Sequence, residues 1–424
     1  MPARHLPVRP DLNQLKHQAK DLLRAIRRGD PSAIEDLQTY HPDKVEPAKA
    51  KLADAQLVLA RSYGGPSWPR LVLACRLIDA IWENDIGEVR SIVVQHPALL
   101  HENARVQKDN WGRPMSYAAN LGRDEIIEML HGLGATDLQF ALDRATLQSR
   151  IDTARKLHAM MGAPRPPAGA FGGAAYTLSA SGTALMFEFG AQLVDEHGNP
   201  DAPADVVIES DSRNPDAKHK ILEMYVEHGF TLPDTPMMAL HRGRIDLLED
   251  HLRRDPLLLS RTFPYEEIFP PSLRCHDEQL PRTTLSGATL LHVCVEFDEL
   301  DIARWLLDRG TNPDAPAAID AAGFGGHTPL FGAVVCYANF WGNFTGGWTY
   351  SGPPTDSPFA RLLLDRGANP NARASMRETV MSGDDRTPRE HRDITPLAWG
   401  AHFHNKMVVS APAMRLIAER GGHD

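Results

Sequence analysis

The chain has 424 residues, enough for two ordinary domains or one long array of small units. Its 45 basic and 55 acidic residues leave a net charge of −10 with no block of like sign, which argues against a nucleic-acid reader, whose footprint is a basic stripe. The four cysteines, Cys75, Cys275, Cys294 and Cys336, form no C-x-x-C pair and read as free thiols in a reducing compartment.

Met1 to Lys20 is charged and punctuated by proline, so no secretory signal is expected. Leu12, Leu15, Ala19, Leu22, Leu23 and Ile26 recur at three- and four-residue spacing and predict an amphipathic helix ending at Gly29. Asp30-Pro31 restarts a short helix through Ile34 and Leu37. A third helix fits Ala48 to Tyr63, closed by Gly64-Gly65. Residues 1–75 therefore read as a helical N-terminal cap over the first of the stacked units. Residues 76–260 read as degenerate repeats with insertions: Gly162 to Ser181 is a Pro/Gly/Ala loop or hinge, and Asp195 to Asp216 is polar. Residues 261–424 hold better-matched repeats, after a proline-punctuated segment from Thr262 to Thr284 and with an aromatic insertion at 337–357. The uncharged stretches Pro166 to Phe187 and Gly332 to Thr355 are broken by glycine, so neither predicts a membrane span, and a cytoplasmic protein is expected.

The repeats are most legible near the C-terminus. Thr289-Leu290-Leu291-His292, Thr328-Pro329-Leu330-Phe331 and Thr395-Pro396-Leu397-Ala398 each lead to a second apolar run closed by Gly310, Gly367 or Gly421. Thr suits the N-cap, Pro the first helical position, and the closing Gly the left-handed residue that ends a helix. This unit resembles the ankyrin repeat, and Gly310-Thr311-Asn312-Pro313-Asp314 and Gly367-Ala368-Asn369-Pro370-Asn371 resemble its hairpins. Thr289 to Gly310 and Arg113 to Gly134 share one separation, and weaker units fit the same ruler at Arg76 to Pro97, Ala141 to Gly162 and Thr235 to Pro256. The stretch from Lys51 to Trp68 looks like a leader found on uncharacterised bacterial ankyrin proteins. The resemblance implies a predominantly all-α, helix-turn-helix solenoid with short β-hairpin connections, several insertions and a helical cap. It also implies that His292 bonds neighbouring backbone.

Chemistry-bearing residues are scattered. The insertion Tyr337 to Tyr350 interleaves six aromatics with Gly, Asn and Thr. Either it is a binding surface, where rings bury area at low entropic cost, or it folds back as a small core. His402-Phe403-His404, Cys275-His276-Asp277-Glu278 and His292-Val293-Cys294 hold metal-ligand types, but in isolation and on different units, so no metal is expected. Glu266, Glu267, Asp277 and Glu278, and then Glu296, Asp298, Glu299 and Asp301, offer carboxylates at positions where charged turns are ordinarily solvated. No nucleophile elbow or phosphate loop is present, catalytic residues stay unassigned, and Gly323 to Gly326 reads as hairpin geometry.

Two functions follow. The first is a protein-interaction module that binds a protein partner through its concave face and inserted loops, as the resemblance implies. The alternative is a small-molecule or carbohydrate site, even a hydrolase-type enzyme, built by the aromatic insertion with a carboxylate/His cluster. Either reading places binding on Trp341, Phe344, Trp348, Tyr350, Trp399 and His404, with no cofactor, nucleic acid or membrane.

Overall fold

The computed structural model of the protein describes residues 4–276, 282–341, 352–378 and 388–424. It is predominantly helical and divides into two compact units, residues 1–164 and 165–424.

The first unit opens with three helices, Leu12–Arg28, Pro31–Tyr40 and Leu52–Ser62. The Asp11 carboxylate accepts from the backbone N–H groups of Asn13 and Gln14, and Gly29 closes the helix at φ 79°. The third helix starts at Leu52 rather than Ala48. A short 3-10 turn, Pro47–Lys49, ends at Ala50, Lys51 is extended, and the Lys51 N–H donates to the Asp54 carboxylate at 2.7 Å, which fixes the helix start there. Leu15, Ala19, Ile26, Leu37, Val58 and Leu59 form the buried centre of this bundle. Fully burying a side chain of the Leu or Ile kind is favourable by roughly 1.5–3 kcal/mol.

Three helical pairs follow: Trp68–Glu83 with Ile86–Gln95, Pro114–Leu121 with Asp124–Gly132, and Leu138–Leu147 with Ile151–Met160. Their inter-helix turns are built alike. Asn84, Gly122 and Ser149 adopt φ of 59°, 69° and 56°. In each turn the next residue's N–H donates to a first-helix carbonyl: Asp85 to Ala80 at 2.8 Å, Arg123 to Ala118 at 3.1 Å and Arg150 to Ala145 at 2.8 Å. One left-handed residue therefore satisfies the helix end and reverses the chain.

The second unit begins with a helical pair whose first member and turn fall in the stretch 162–181, where a loop or hinge is expected. Gly172–Tyr176 and Ala180–Glu188 are helices, Leu178 takes the left-handed turn at φ 52°, and Ser179 N–H donates to Ala174 O at 2.7 Å. The polar insertion that follows is also structured, with helices Ala204–Glu209 and Pro215–Glu227. The remaining pairs are Pro236–His241 with Ile245–Arg254, Leu290–Phe297 with Leu300–Asp308, Pro329–Val334 with Pro358–Asp365, and Pro396–His402 with Ala411–Glu419. Thr235 and Thr395 act as N-caps, their hydroxyls accepting from Met238 N–H at 3.1 Å and Ala398 N–H at 3.2 Å. Strands β1 (Ala374–Glu378) and β2 (Arg389–Ile394) pair antiparallel, with Met376 opposite His391 and Glu378 opposite Arg389.

Three histidines tie neighbouring repeats together. Thr289 N–H donates to His292 Nδ1, so the proton sits on Nε2, which donates to the His327 carbonyl at 3.0 Å. His327 Nε2 reaches Thr284 O at 2.9 Å, and His241 Nε2 reaches Ile268 O at 3.0 Å. Burial pushes all three imidazoles down, His241 and His292 to about 3 and His327 to about 4. They are neutral structural donors, the role the resemblance implies for His292.

Candidate interaction cleft

The connections between helical pairs of the second unit lie side by side and bond to one another. Phe263 bridges Ala288, Ala318 N–H donates to Gly287 O at 2.8 Å, and Ile319 bridges Gly325, which in turn bridges Ser375 of β1. Two glycines make this row possible. A Cβ on Gly325 (φ 114°) would lie 2.1 Å from Ala318 O, and one on Gly287 (φ 68°) would lie 2.4 Å from Ala318 Cβ. The hairpin glycines at 325 and 287 thus serve backbone approach as well as turn geometry.

A cleft of about 570 Å³ opens along this row. Phe263, Phe324, Met376 and Phe403 give it a buried apolar floor, and Thr262, Thr284, Ser286, Arg282 and Arg377 give it polar walls. Ile319 stands at its edge with 67% of its surface exposed. Cations cover Phe324 and Phe263. The Arg377 guanidinium lies 3.9 Å and that of Arg392 4.3 Å from the Phe324 centroid, and Arg261 lies 4.8 Å from Phe263. Such stacking holds a guanidinium plane in place while its edge stays free to bond. Arg377 is paired with Asp320 and lies 3.7 Å from Glu390.

The wall is braced from behind. Phe403 packs 5.0 Å from Trp399, whose indole N–H donates to the Thr283 hydroxyl at 3.1 Å, and that hydroxyl donates to Val335 O at 2.6 Å. Glu378, at the end of β1, is fully buried. Its carboxylate accepts from His404 N–H at 2.6 Å, from the His404 ring and from His391 Nε2 at 3.1 Å. Burial alone would lift the Glu378 carboxyl, but the His404 and His391 bonds outweigh it and hold the group below the usual range. Glu378 therefore staples the β1–β2 insertion to the chain after Pro396–His402.

The expected binding residues distribute unevenly over this architecture. Trp399 is fully buried, so it supports Phe403 from within and does not face a ligand. His404 is engaged by Glu378, and Trp341 is partly buried. Phe344, Trp348 and Tyr350 lie outside the described residues. The start of the aromatic insertion folds inward: Tyr337 is buried, 5.1 Å from the Arg213 guanidinium and 4.7 Å from that of Arg282. Arg282, Phe324 and Arg377 line the cleft although no motif marks them.

Of the carboxylates around the turn after Leu290–Phe297, Asp301 is exposed as a charged turn would be and Asp298 is partly buried, but Glu296 and Glu299 are not solvated. Arg213 donates to Glu296 Oε1 at 2.7 Å and to Glu296 O at 2.6 Å, and Lys218 Nζ lies 2.7 Å and His219 Nε2 2.9 Å from Glu299 Oε1. Burial pushes the Glu296 carboxyl up despite Arg213. Burial would also raise Glu299, but Lys218 and His219 together draw it down. Asp298 is lifted to about 6 by burial and by the neighbouring Glu299. Glu296 and Glu299 are thus neutralised inside the protein and are not poised over a ligand. Among the described residues no group of three His, Cys, Asp or Glu side chains has the geometry to hold a metal ion, and no helix is long and apolar enough to cross a membrane.

Residues 286–318 match the family model for the ankyrin repeat. Among solved structures, the human ASB11 ankyrin repeat domain is similar at 17% identity, covering 73% of this chain and 99% of that one, with a TM-score of 0.24. No curated protein matches the sequence.

Proposed function

We propose that this chain, whose residues 286–318 are an ankyrin repeat, works as a protein-interaction module and engages its partner through the cleft along the hairpin row of the second unit. The observation that carries this reading is the coincidence of an apolar floor, fixed guanidinium groups and the exposed Ile319 in one opening. An apolar anchor ringed by oriented polar groups is the usual anatomy of an interface hot spot. The helical bundle at the N-terminus fits a capping role, and the four buried free thiols fit a reducing compartment. In this reading Trp399 and His404 are supports of the wall, while Trp341, Phe344, Trp348 and Tyr350 stay proposed as further contacts.

A sugar-stacking or hydrolytic site draws less support. Arginines cover Phe263 and Phe324 in the cleft, Trp399 is buried, and Glu296 and Glu299 are held in internal ion pairs. A photoactivatable residue placed at Ile319 tests the interaction reading against one placed at Leu257, which is 73% exposed but does not line the cleft. Protein adducts formed from position 319 and not from 257 are the expected result. Equal labelling from both positions, or none from 319, would defeat the reading.

A further inference from the structure

We infer that the cleft receives an acidic peptide and that Arg282 takes its carboxylate. This rests on the reading of the chain as an interaction module and adds the chemistry of the partner. The arginines around the cleft are not equivalent. Arg261 is paired with Glu267 at 2.7 Å, Arg377 with Asp320, and Arg392 with Glu390 at 3.4 Å. Arg282 is the exception: among the described residues its guanidinium donates to the Tyr337 hydroxyl and to no carboxylate. Its Nε–H is buried and donates to nothing.

Arg282 is also held still. Its guanidinium carbon lies 4.7 Å from the Tyr337 ring centroid, and the hydroxyl of the same residue takes one of its N–H groups. A guanidinium plane fixed on a ring, with donors unspent, suits planar recognition of a carboxylate. Asp320, the acidic side chain lining the same cleft, is already neutralised by Arg377 and so does not repel an incoming acid. Thr262, Thr284 and Ser286 add hydroxyls to the wall that an oxyanion meets. Ile319, exposed beside Asp320, offers apolar surface for a side chain next to the acid. Charge complementarity at Arg282 and the apolar edge at Ile319 together specify an extended segment with Asp or Glu beside an apolar residue.

The test pans a displayed library of random peptides on the full chain and measures selected peptides by fluorescence anisotropy against wild type, Arg282→Gln and Tyr337→Phe. Selected sequences should carry Asp or Glu next to an apolar residue. Converting that acid to its amide should weaken binding to wild type about 10- to 100-fold and leave binding to Arg282→Gln unchanged. Tyr337→Phe, which keeps the ring and loses the hydroxyl anchor, should weaken binding by a smaller factor. Because amidation is read on the wild-type protein, the result stands even if Arg282→Gln folds poorly. Selected peptides that bind Arg282→Gln as tightly as wild type would overturn the assignment of Arg282 and leave the interaction module intact. Displacement by inorganic phosphate, with amidation harmless, would overturn the carboxylate. A library that yields no binder sensitive to Ile319→Asp would overturn the cleft as an interaction site altogether.

Discussion

Two turns in this molecule share a backbone and differ in everything around it. At Glu83-Asn84-Asp85 the left-handed Asn84 joins two helices, and the Glu83 side chain is 66% exposed, paired with Arg9 at the surface. At Glu296-Phe297-Asp298-Glu299 the left-handed Asp298 does the same work, yet Glu296 and Glu299 are each only 3% exposed. The difference comes from the segment 210–227, which brings Arg213, Lys218 and His219 onto the second turn. Arg213 and Lys218 also lie 4.9 and 4.5 Å from the Phe297 ring. Charged residues at a repeat's turn thus say nothing of whether water or another segment will meet them. A buried ion pair is a weak source of net stability, but removing one partner is expensive, so the second turn is a lock and the first is not.

Acid should open the contrast widest. His241, which sits near Lys218 of the lock, together with His292 and His327 is buried neutral, with folded pKa values of about 3, 3 and 4 against an ordinary value near 6.5. Below pH 6.5 the unfolded chain binds protons that the folded one does not. Their contribution is therefore complete above pH 6.5 and is lost as pH falls toward 4, at about 1.4 kcal/mol per unit for each histidine. Denaturation followed by a probe in the second unit should show several kcal/mol of lost stability by pH 4.5. A flat profile there would mean the three imidazoles are accessible.

Next in size is a matched pair of deletions. Arg213→Ala leaves Glu296 buried without its partner and should cost about 3–5 kcal/mol. Arg9→Ala, which removes the exposed partner of Asp79 and Glu83, should cost about 1 kcal/mol or less. Urea titration of both variants, each read in its own unit, measures the difference directly, and equal losses would erase the distinction between the two turns. One further effect has the opposite sign. With its folded pKa raised to about 6, Asp298 is more protonated when folded than when unfolded between pH 4 and 6, so it costs stability as pH rises through that window. Asp298→Asn, which keeps a residue tolerant of φ 62°, should gain about 2–3 kcal/mol at pH 7.5 and almost nothing at pH 4. Calorimetry at the two pH values would show it.

Much of the helical framework was legible because it rests on local rules. Thr235 and Thr395 cap, Pro follows, and Gly310 and Gly367 end second helices, all within a few residues of the bonds they make. The helix 172–176 escaped because it is built of Gly and Ala and the left-handed turn after it falls on Leu178, not on a glycine. Gly169 to Gly190 nevertheless has the separation of Thr289 to Gly310, a signal the ruler contained. The site was far less legible. Its floor and walls come from positions between Thr262 and Phe403, and Arg213 meets Glu296 across a large gap in sequence, so no spacing rule links them. Of the tryptophans, Trp399 is buried, Trp341 partly buried and Trp348 outside the described residues, whereas Arg282 and Phe324 sit in no motif that points to binding.

The pairing of Glu378 with Arg389 has a consequence for how this protein can change. These two residues face each other at the open ends of β1 and β2, with Glu378 anchored to His404 and His391. Residues 379–387 therefore join two points whose separation is already set by the strands. Met376 and Arg377 of the same strand line the cleft, so an exchange of 379–387 that keeps the bonds of Glu378 to His404 and His391 leaves that wall in place.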